Sequence, residues 1–337
     1  MSATKKNFSG NSPSINKRPQ RWIQAIAAAG LSLACAASAM AQDYPAKQVV
    51  VVVPFAPGGT VDNVARHVQE ALSARLKQTV IVENRAGAGG TIGTGTVAKA
   101  QADGYRVAMV FDSYATEAHI YPSLPYAPEN DLTGVSYMVR SPMVLVVPAS
   151  SPYKTLQDYI NAAKTPDTVS YASVGAGSSN HLAAELFHET AGTSALHTPY
   201  KGGGPAMTDL MGAHVDSMIA SLPLVLPHVQ AGKLRALGVT SQTRAAQLPD
   251  VPAISETFKS YEVYSWVGMI APAKTPEAVV KRLSDDVNAA LKTPAVSARL
   301  NDAGFEIVAG GPEQMNALTR GESQRWGRLI ADKKIGQ

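Results

Sequence analysis

Four times in this chain a short apolar run ends in a glycine-rich segment that leads straight into a stretch with helical spacing. The segments are Pro54-Phe55-Ala56-Pro57-Gly58-Gly59-Thr60, Asn84-Arg85-Ala86-Gly87-Ala88-Gly89-Gly90-Thr91, Ser173-Val174-Gly175-Ala176-Gly177-Ser178-Ser179 and Tyr200-Lys201-Gly202-Gly203-Gly204-Pro205. Glycine lets the backbone turn sharply and removes the Cβ that would hold a ligand away. The helix start that follows leaves unpaired N–H groups and partial positive charge. Such ends hold carboxylate or phosphate. One loop of this kind is an ordinary strand-to-helix turn, but four of them, two early and two late, argue for a shared purpose.

The segments between them read as an α/β protein. Val49 to Val53 is a buried strand, and Val61, Val64, Val68 and Leu72 share one helix face opposite Arg66, Gln69 and Glu70. Further strands are expected at Thr79 to Val82, Arg106 to Phe111 and Met143 to Val147. Helices are expected up to Val97, from Thr155 (capped reciprocally by Asp158), over His181 to Thr190, over Pro205 to Met211, and from Thr275-Pro276 with Val279, Val280, Leu283, Val287 and Leu291 buried. No solenoid-length repeat interrupts this pattern. Open α/β sheets bind ligands beyond the carboxyl ends of their strands, so two such domains facing each other would line a cleft with these loops.

Charge must be located before it is interpreted. The chain has 337 residues, 30 basic and 26 acidic, and a net charge of +4. Residues 1–41 hold Lys5, Lys6, Lys17, Arg18 and Arg21 and no acidic residue, which leaves 25 basic against 26 acidic, a net −1, for the rest. The basic character belongs to a leader, and no nucleic-acid partner is expected. That leader has a basic start, an apolar stretch from Trp22 to Ala37 and small residues at Ala39-Met40-Ala41, the three parts of an export signal cleaved after Ala41. The apolar stretch is short of the roughly 20 residues that span a bilayer. Cys35, the one cysteine, raises the alternative of a lipid anchor. Ser32 stands where lipid-attachment sites usually carry Leu, so a cleaved, periplasmic chain without thiol or disulfide is preferred. About 295 residues then remain, enough for two domains.

Enzyme readings fit poorly. Gly87, Gly89 and Gly93 approximate a dinucleotide fingerprint with Asp112 downstream, yet Glu83 to Ala86 separate the first glycine from its strand. No phosphate loop with a terminal Gly-Lys-Ser/Thr occurs. Ser178 or Ser179 near His181 lacks the Gly-x-Ser-x-Gly elbow of a hydrolase. His181 and His188 have no His-Glu-x-x-His context, so no metal is expected, and no cofactor.

Tyr44-Pro45-Ala46-Lys47 leading to Val53-Pro54-Phe55-Ala56-Pro57-Gly58-Gly59-Thr60-Val61-Asp62 resembles the opening motif of the Bug-type solute receptors, the extracytoplasmic components of tripartite tricarboxylate transporters. Further matches follow in order. They are Val82 to Gly90, Asp103-Gly104-Tyr105, Gly177-Ser178-Ser179-Asn180-His181-Leu182-Ala183, Pro199 to Gly203 with Pro205-Ala206, and Leu248-Pro249-Asp250-Val251-Pro252. They include all four loops.

The resemblance implies a two-domain clamshell of the type II periplasmic-binding-protein kind, with the ligand cleft between the lobes. Residues 43–142 and 266–337 would form domain 1, residues 143–265 domain 2, with hinge crossings near Met143 and Trp266. It implies a monomer that captures a small carboxylate and delivers it to membrane permease subunits; the alternative is an exported α/β enzyme acting on a small carboxylate or ester. Carried over by position, Phe55, Ala56, Gly59 and Thr60 would form the first anchor. Gly175, Gly177 and Ser178 would form the second, flanked by Tyr200, Lys201 and Gly202. Asp62 is expected to brace its own loop, and Arg85 either to steer anions or to pair with Glu83. Asp112 and Ser113 would read a polar substituent of the ligand, the alternative being that Asp112 stabilises its own turn; Tyr114 and Glu117-Ala118 replace the His and Asn-Pro of some family members, so the ligand itself does not carry over.

Overall fold

The computed structural model describes residues 1–7, 10 and 44–336. The apolar part of the expected leader, its cleavage point after Ala41 and Cys35 lie outside them. The chain divides into two units, Met1–Tyr44 and Pro45–Gln337. The first has no helix or strand among its described residues; the second carries all the elements that follow.

Five consecutive valines form β1 (Val49–Val53), and the β-branched run suits a strand buried on both faces between parallel neighbours. Those neighbours are β2 (Val80–Asn84) and β3 (Arg106–Phe111), reached through α1 (Thr60–Leu76) and α2 (Thr91–Ala98). Two short helices, α3 (Glu117–Ile120) and α4 (Pro128–Asp131), lead into β4 (Leu132–Pro148), 17 residues long. Then come α5 (Leu156–Ala163), β5 (Ser170–Ser173), α6 (Ser179–Ala191), β6 (Leu196–Pro199), α7 (Gly203–Met211), β7 (Ser217–Ser221), α8 (Leu222–Gln230) and β8 (Leu234–Val239). Finally β9 (Tyr264–Pro272) returns antiparallel to both β3 and β4, followed by α9 (Glu277–Leu291), α10 (Pro294–Asp302), β10 (Glu306–Gly310) and α11 (Pro312–Lys333).

The strand order is β2-β1-β3-β9-β4-β7-β5-β6, with β8 and β10 also on β4. β4 therefore serves two sheet regions. Leu132 to Pro142 pair with β9, and Met143 onward with β7 and β8. The result is a two-lobed α/β fold. In its second half β4 shows the two-residue period of a strand covered on both sides: Met143, Leu145 and Val147 join one core with Tyr159 and Phe187, while Val144 and Val146 join another with Met207 and Leu210. A third core gathers Val52, Val110, Trp266 and Met315.

The expected strands at β1 and β3 have the observed bounds, and the reciprocal Thr155–Asp158 cap at α5 is present. The buried stripes of α1 and α9 are those expected. Differences have local causes. β4 begins eleven residues before Met143, because Gly134, Ser136, Arg140 and Pro142 break its apolar pattern. Two register shifts against β9 and a hydrogen bond from Ser136 Oγ to Asn288 Oδ1 (2.6 Å) accommodate that stretch. α7 starts at Gly203 rather than Pro205, since Gly202 at φ +117° makes the turn.

Where the chain passes between the sheet regions, buried Thr240 binds the strands together. The Met143 N–H donates to its hydroxyl (2.8 Å), which donates in turn to the Val263 carbonyl (2.6 Å).

Candidate functional site

The first loop is held from below by Asp62. The Gly58 N–H and the Arg66 guanidinium donate to its Oδ2 (2.8 Å each), and Asn84 Nδ2 donates to Oδ1 (2.8 Å) and to the Phe55 carbonyl (3.1 Å). Burial opposes ionisation, but these donors hold the carboxyl below the usual Asp range. Asp62 thus braces its loop, as the sequence indicates. Ala56 and Gly58 are left exposed, and Gly59 enters α1 with no side-chain cap. The glycine-rich second loop lies under the first. A Cβ on Gly93 would fall 2.7 Å from Pro54 Cα, so only glycine permits this approach. Arg85 is bound to Glu83, which Arg106 also engages at 3.0 Å, so the pairing alternative is the one realised.

Beyond β3 the chain makes a turn over Asp112–Thr116 and then α3, bringing two carboxyls inside. Burial pushes Asp112 up to about 7, against hydrogen bonds from Ser265, Ser179 and the Ser113 N–H. Ser265 Oγ donates to Asp112 Oδ2 at 2.7 Å. Burial likewise pushes Glu117 up to about 8, against donors from Tyr126 (2.5 Å) and Thr94 (3.4 Å). The Phe55 ring meets Phe111 edge-on at 6.1 Å and faces Gly90, and Gly90 in turn faces Glu117. The first loop and the β3 turn are therefore one packed unit.

The third loop is fixed by aromatic neighbours. The Gly177 N–H donates to His181 Nδ1 (3.0 Å), and the His181 ring stacks on His197 at 3.8 Å. His197 Nε2 lies 2.6 Å from Ser173 Oγ, at the head of the same loop. Burial, with His197 beside it, holds His181 down at about 4, in the neutral form an acceptor requires. Ser178 Oγ donates to the Gly175 carbonyl (2.7 Å) and caps α6. Tyr200 bonds through its N–H to the Ser173 carbonyl (2.9 Å) and through its hydroxyl to Asp209 (2.8 Å), while Lys201 is exposed.

The loops of the two sheet regions meet. Gly177, at φ +75°, has Ile120 Cδ1 2.2 Å from where a Cβ would stand, and Asp112 reaches Ser179 at the first turn of α6. Phe55, Asp112, Gly175, Gly177, Ser178 and Tyr200 thus fall into two contiguous groups that touch through Asp112 and Ile120. Ala56 and Lys201 lie in their loops, Gly59 and Gly202 stand at the starts of α1 and α7, Thr60 is the first residue of α1, and Ser113 lies in the turn after β3. Glu117, Ile120, Ser179 and Ser265 are additional members. Of these, Glu117 is marked in the sequence by standing where some family members carry Asn, and Ser179 by its place in the third loop. Two surface hollows of about 800 and 590 Å3 lie elsewhere, along α1 and β2 and between α9 and α11.

Residues 64–335 match the family model described as the tripartite tricarboxylate transporter family receptor. The chain is 38% identical over 314 residues to a protein of Pseudomonas sp. strain P51 encoded between tcbD and tcbE, covering 91% of this chain and 94% of that one. It is 36% identical over 311 residues to protein BugT of Bordetella pertussis, with the same coverage. Among solved structures it resembles the periplasmic binding protein BugD (35% identity, TM-score 0.78, 87% of this chain and 99% of that one). It also resembles R. palustris Rpa4515 with adipate (34%, TM-score 0.80, 87% and 99%) and MatC from Rhodopseudomonas palustris with bound malate (30%, TM-score 0.77, 85% and 100%). The early motif, the two-lobed fold and the paired loops agree with these likenesses: the chain belongs to the tripartite tricarboxylate transporter receptors of the Bug type, a family of solute-binding proteins.

Proposed function

We propose that this receptor is exported to the periplasm, captures a small organic carboxylate between its lobes, and presents the closed form to the membrane permease subunits of a tripartite transporter. The observation that carries this reading is the convergence of Asp112 and Ile120 on Gly177 and Ser179, which brings loops from both sheet regions to one junction. The lobes would be residues 43–142 with 266–337 and residues 143–265, hinged near Met143 and Trp266. The end of α11 packs across this division, since Trp326, Leu329 and Ile330 lie in a core with Tyr159 and Phe187. Phe55, Ala56, Gly59 and Thr60 would receive one end of the ligand. Gly175, Gly177 and Ser178, flanked by Tyr200, Lys201 and Gly202, would receive the other.

Main-chain donors can hold an anion without a buried cation. Asp112 and Glu117 suit such a site because both carboxyls are pushed toward neutrality. The adipate and malate held by the two structural relatives support a dicarboxylate-sized ligand. A noncatalytic role is supported by the use of the best nucleophile pair: His181 Nδ1 accepts from Gly177, and Ser178 Oγ donates to Gly175. Among the described residues, no helix is long and apolar enough to cross a membrane.

The test is a thermal-shift screen of protein purified from the periplasm against mono-, di- and tricarboxylates, acidic amino acids and aromatic acids. At a hundredfold excess over its Kd a ligand adds about 2.7 kcal/mol, a shift of several degrees. A carboxylate hit recovered chemically unchanged is expected. Conversion of the compound, or shifts only with nucleotides or esters, would reject the proposal. N-terminal sequencing of the same protein reports whether cleavage follows Ala41.

A further inference from the structure

We infer that Asp112 selects, among carboxylates, those that carry a hydrogen-bond donor, a hydroxyl or an ammonium, on the carbon skeleton. This deepens the receptor reading and rests on it. Asp112 is 5% exposed at the carboxyl end of β3, where strands of an open α/β sheet present ligand-binding groups. Its Oδ2 accepts from Ser265 Oγ, but its Oδ1 is buried without a hydrogen-bond partner. Buried carboxylate oxygens are rarely left so, because desolvation is then uncompensated.

The surroundings narrow what completes the group. Ser265 pairs with Ser141 across the antiparallel β4–β9 ladder, and residues so paired project to the same face. The Ser141 hydroxyl is also buried without a partner, so two unsatisfied polar groups flank Ser265. Ser179, in the first turn of α6, faces Asp112 from the other sheet region, so parting of the lobes would uncover the carboxyl and closure would seal it against a ligand. The groups directed at Asp112 are donors: the Ser265 and Ser179 hydroxyls and the Ser113 N–H. The other charge felt there is Glu322 on α11, which is bonded to Trp326 Nε1 (2.6 Å) and paired with Arg325 (3.8 Å). Among the described residues no cation is bonded to the Asp112 carboxyl. With Asp112 ionised, a second bare carboxylate against Oδ1 would set acceptor against acceptor, whereas a hydroxyl or ammonium supplies the missing donor.

Matched ligands isolate the effect. Calorimetric titration would compare succinate, malate and aspartate, then glutarate, 2-hydroxyglutarate and glutamate, on the wild-type receptor and on the Asp112→Ala and Asp112→Asn variants. Ligand-free melts would confirm that each variant folds. In at least one series the hydroxy or amino member is expected to bind about tenfold more tightly than the bare diacid, a difference of about 1.4 kcal/mol. Asp112→Ala is expected to erase that preference by weakening the substituted ligand alone. An ammonium ligand would gain affinity as the pH rises through neutrality and Asp112 ionises; a hydroxyl ligand would show no such gain. Equal binding of bare and substituted members, a preference that survives Asp112→Ala, or bare diacids favoured with affinity rising toward acid pH would overturn the inference while leaving the receptor reading intact. Failure of every carboxylate to bind would overturn both.

Discussion

Glu117 shows how one side chain couples the site to pH. Its folded value of about 8 lies above its ordinary value of 4.5, so the fold favours the protonated form. Between those values the native chain holds a proton that the unfolded chain has released. The contribution is therefore complete below about pH 4.5 and lost as the pH rises through 8. Glu117→Gln keeps the shape and removes the titration, so its melting temperature relative to wild type should climb by several degrees between those limits. Parallel melting curves across the range would refute the assignment. His181 acts in the opposite sense, being depressed to about 4 from 6.5, so its contribution is present above 6.5 and lost as the pH falls through 4. Its Nδ1 holds the Gly177 N–H, and His181→Ala leaves that donor unpaired at a cost of about 1–3 kcal/mol. Urea unfolding would measure the loss, and hydrogen exchange should show faster exchange confined to residues 175–178.

At the scale of elements, termini and crossings rather than helix faces decide where the loops stand. α5 carries the reciprocal cap of Thr155 and Asp158, and Thr155→Ala should cost about 1 kcal/mol with no effect on ligand binding, because α5 takes no part in the loop junction. A measured change in ligand affinity would contradict that separation. Thr240 lies where β4 changes partners. Thr240→Val removes the hydroxyl that joins Met143 to Val263, leaving a buried N–H and carbonyl unpaired, again at about 1–3 kcal/mol. Chemical denaturation would show the loss directly, and an unchanged midpoint would mean that the crossing is held by packing alone. The sequence did not announce Thr240. A threonine after a mostly apolar run looks like any strand end, and its partners lie 97 and 23 residues away.

For the molecule as a whole, the proposed closure of the lobes would be limited by the contact between Ile120 and Gly177. Gly177→Ala adds a methyl into Ile120 at a positive φ, so it should weaken ligand binding and leave the liganded form with a larger radius of gyration in solution scattering. Adding Ile120→Ala should restore closure in part; no recovery in the double variant would assign the whole effect to backbone strain. By itself the sequence determined the four loops, the β1 and β3 strands, the capped start of α5, the apolar stripes and, through ordered motifs, the family. These are local features: glycine conformational freedom, two- and 3.6-residue periods and cap chemistry act within a few residues. Only the tertiary structure decided that one 17-residue strand serves both sheet regions, that α11 contributes to two cores, and that Asp112 lies sealed between Ser265 and Ser179 with one oxygen unpaired. Burial and hydrogen-bond satisfaction depend on groups far apart in the chain, and no local pattern specifies which of them will meet.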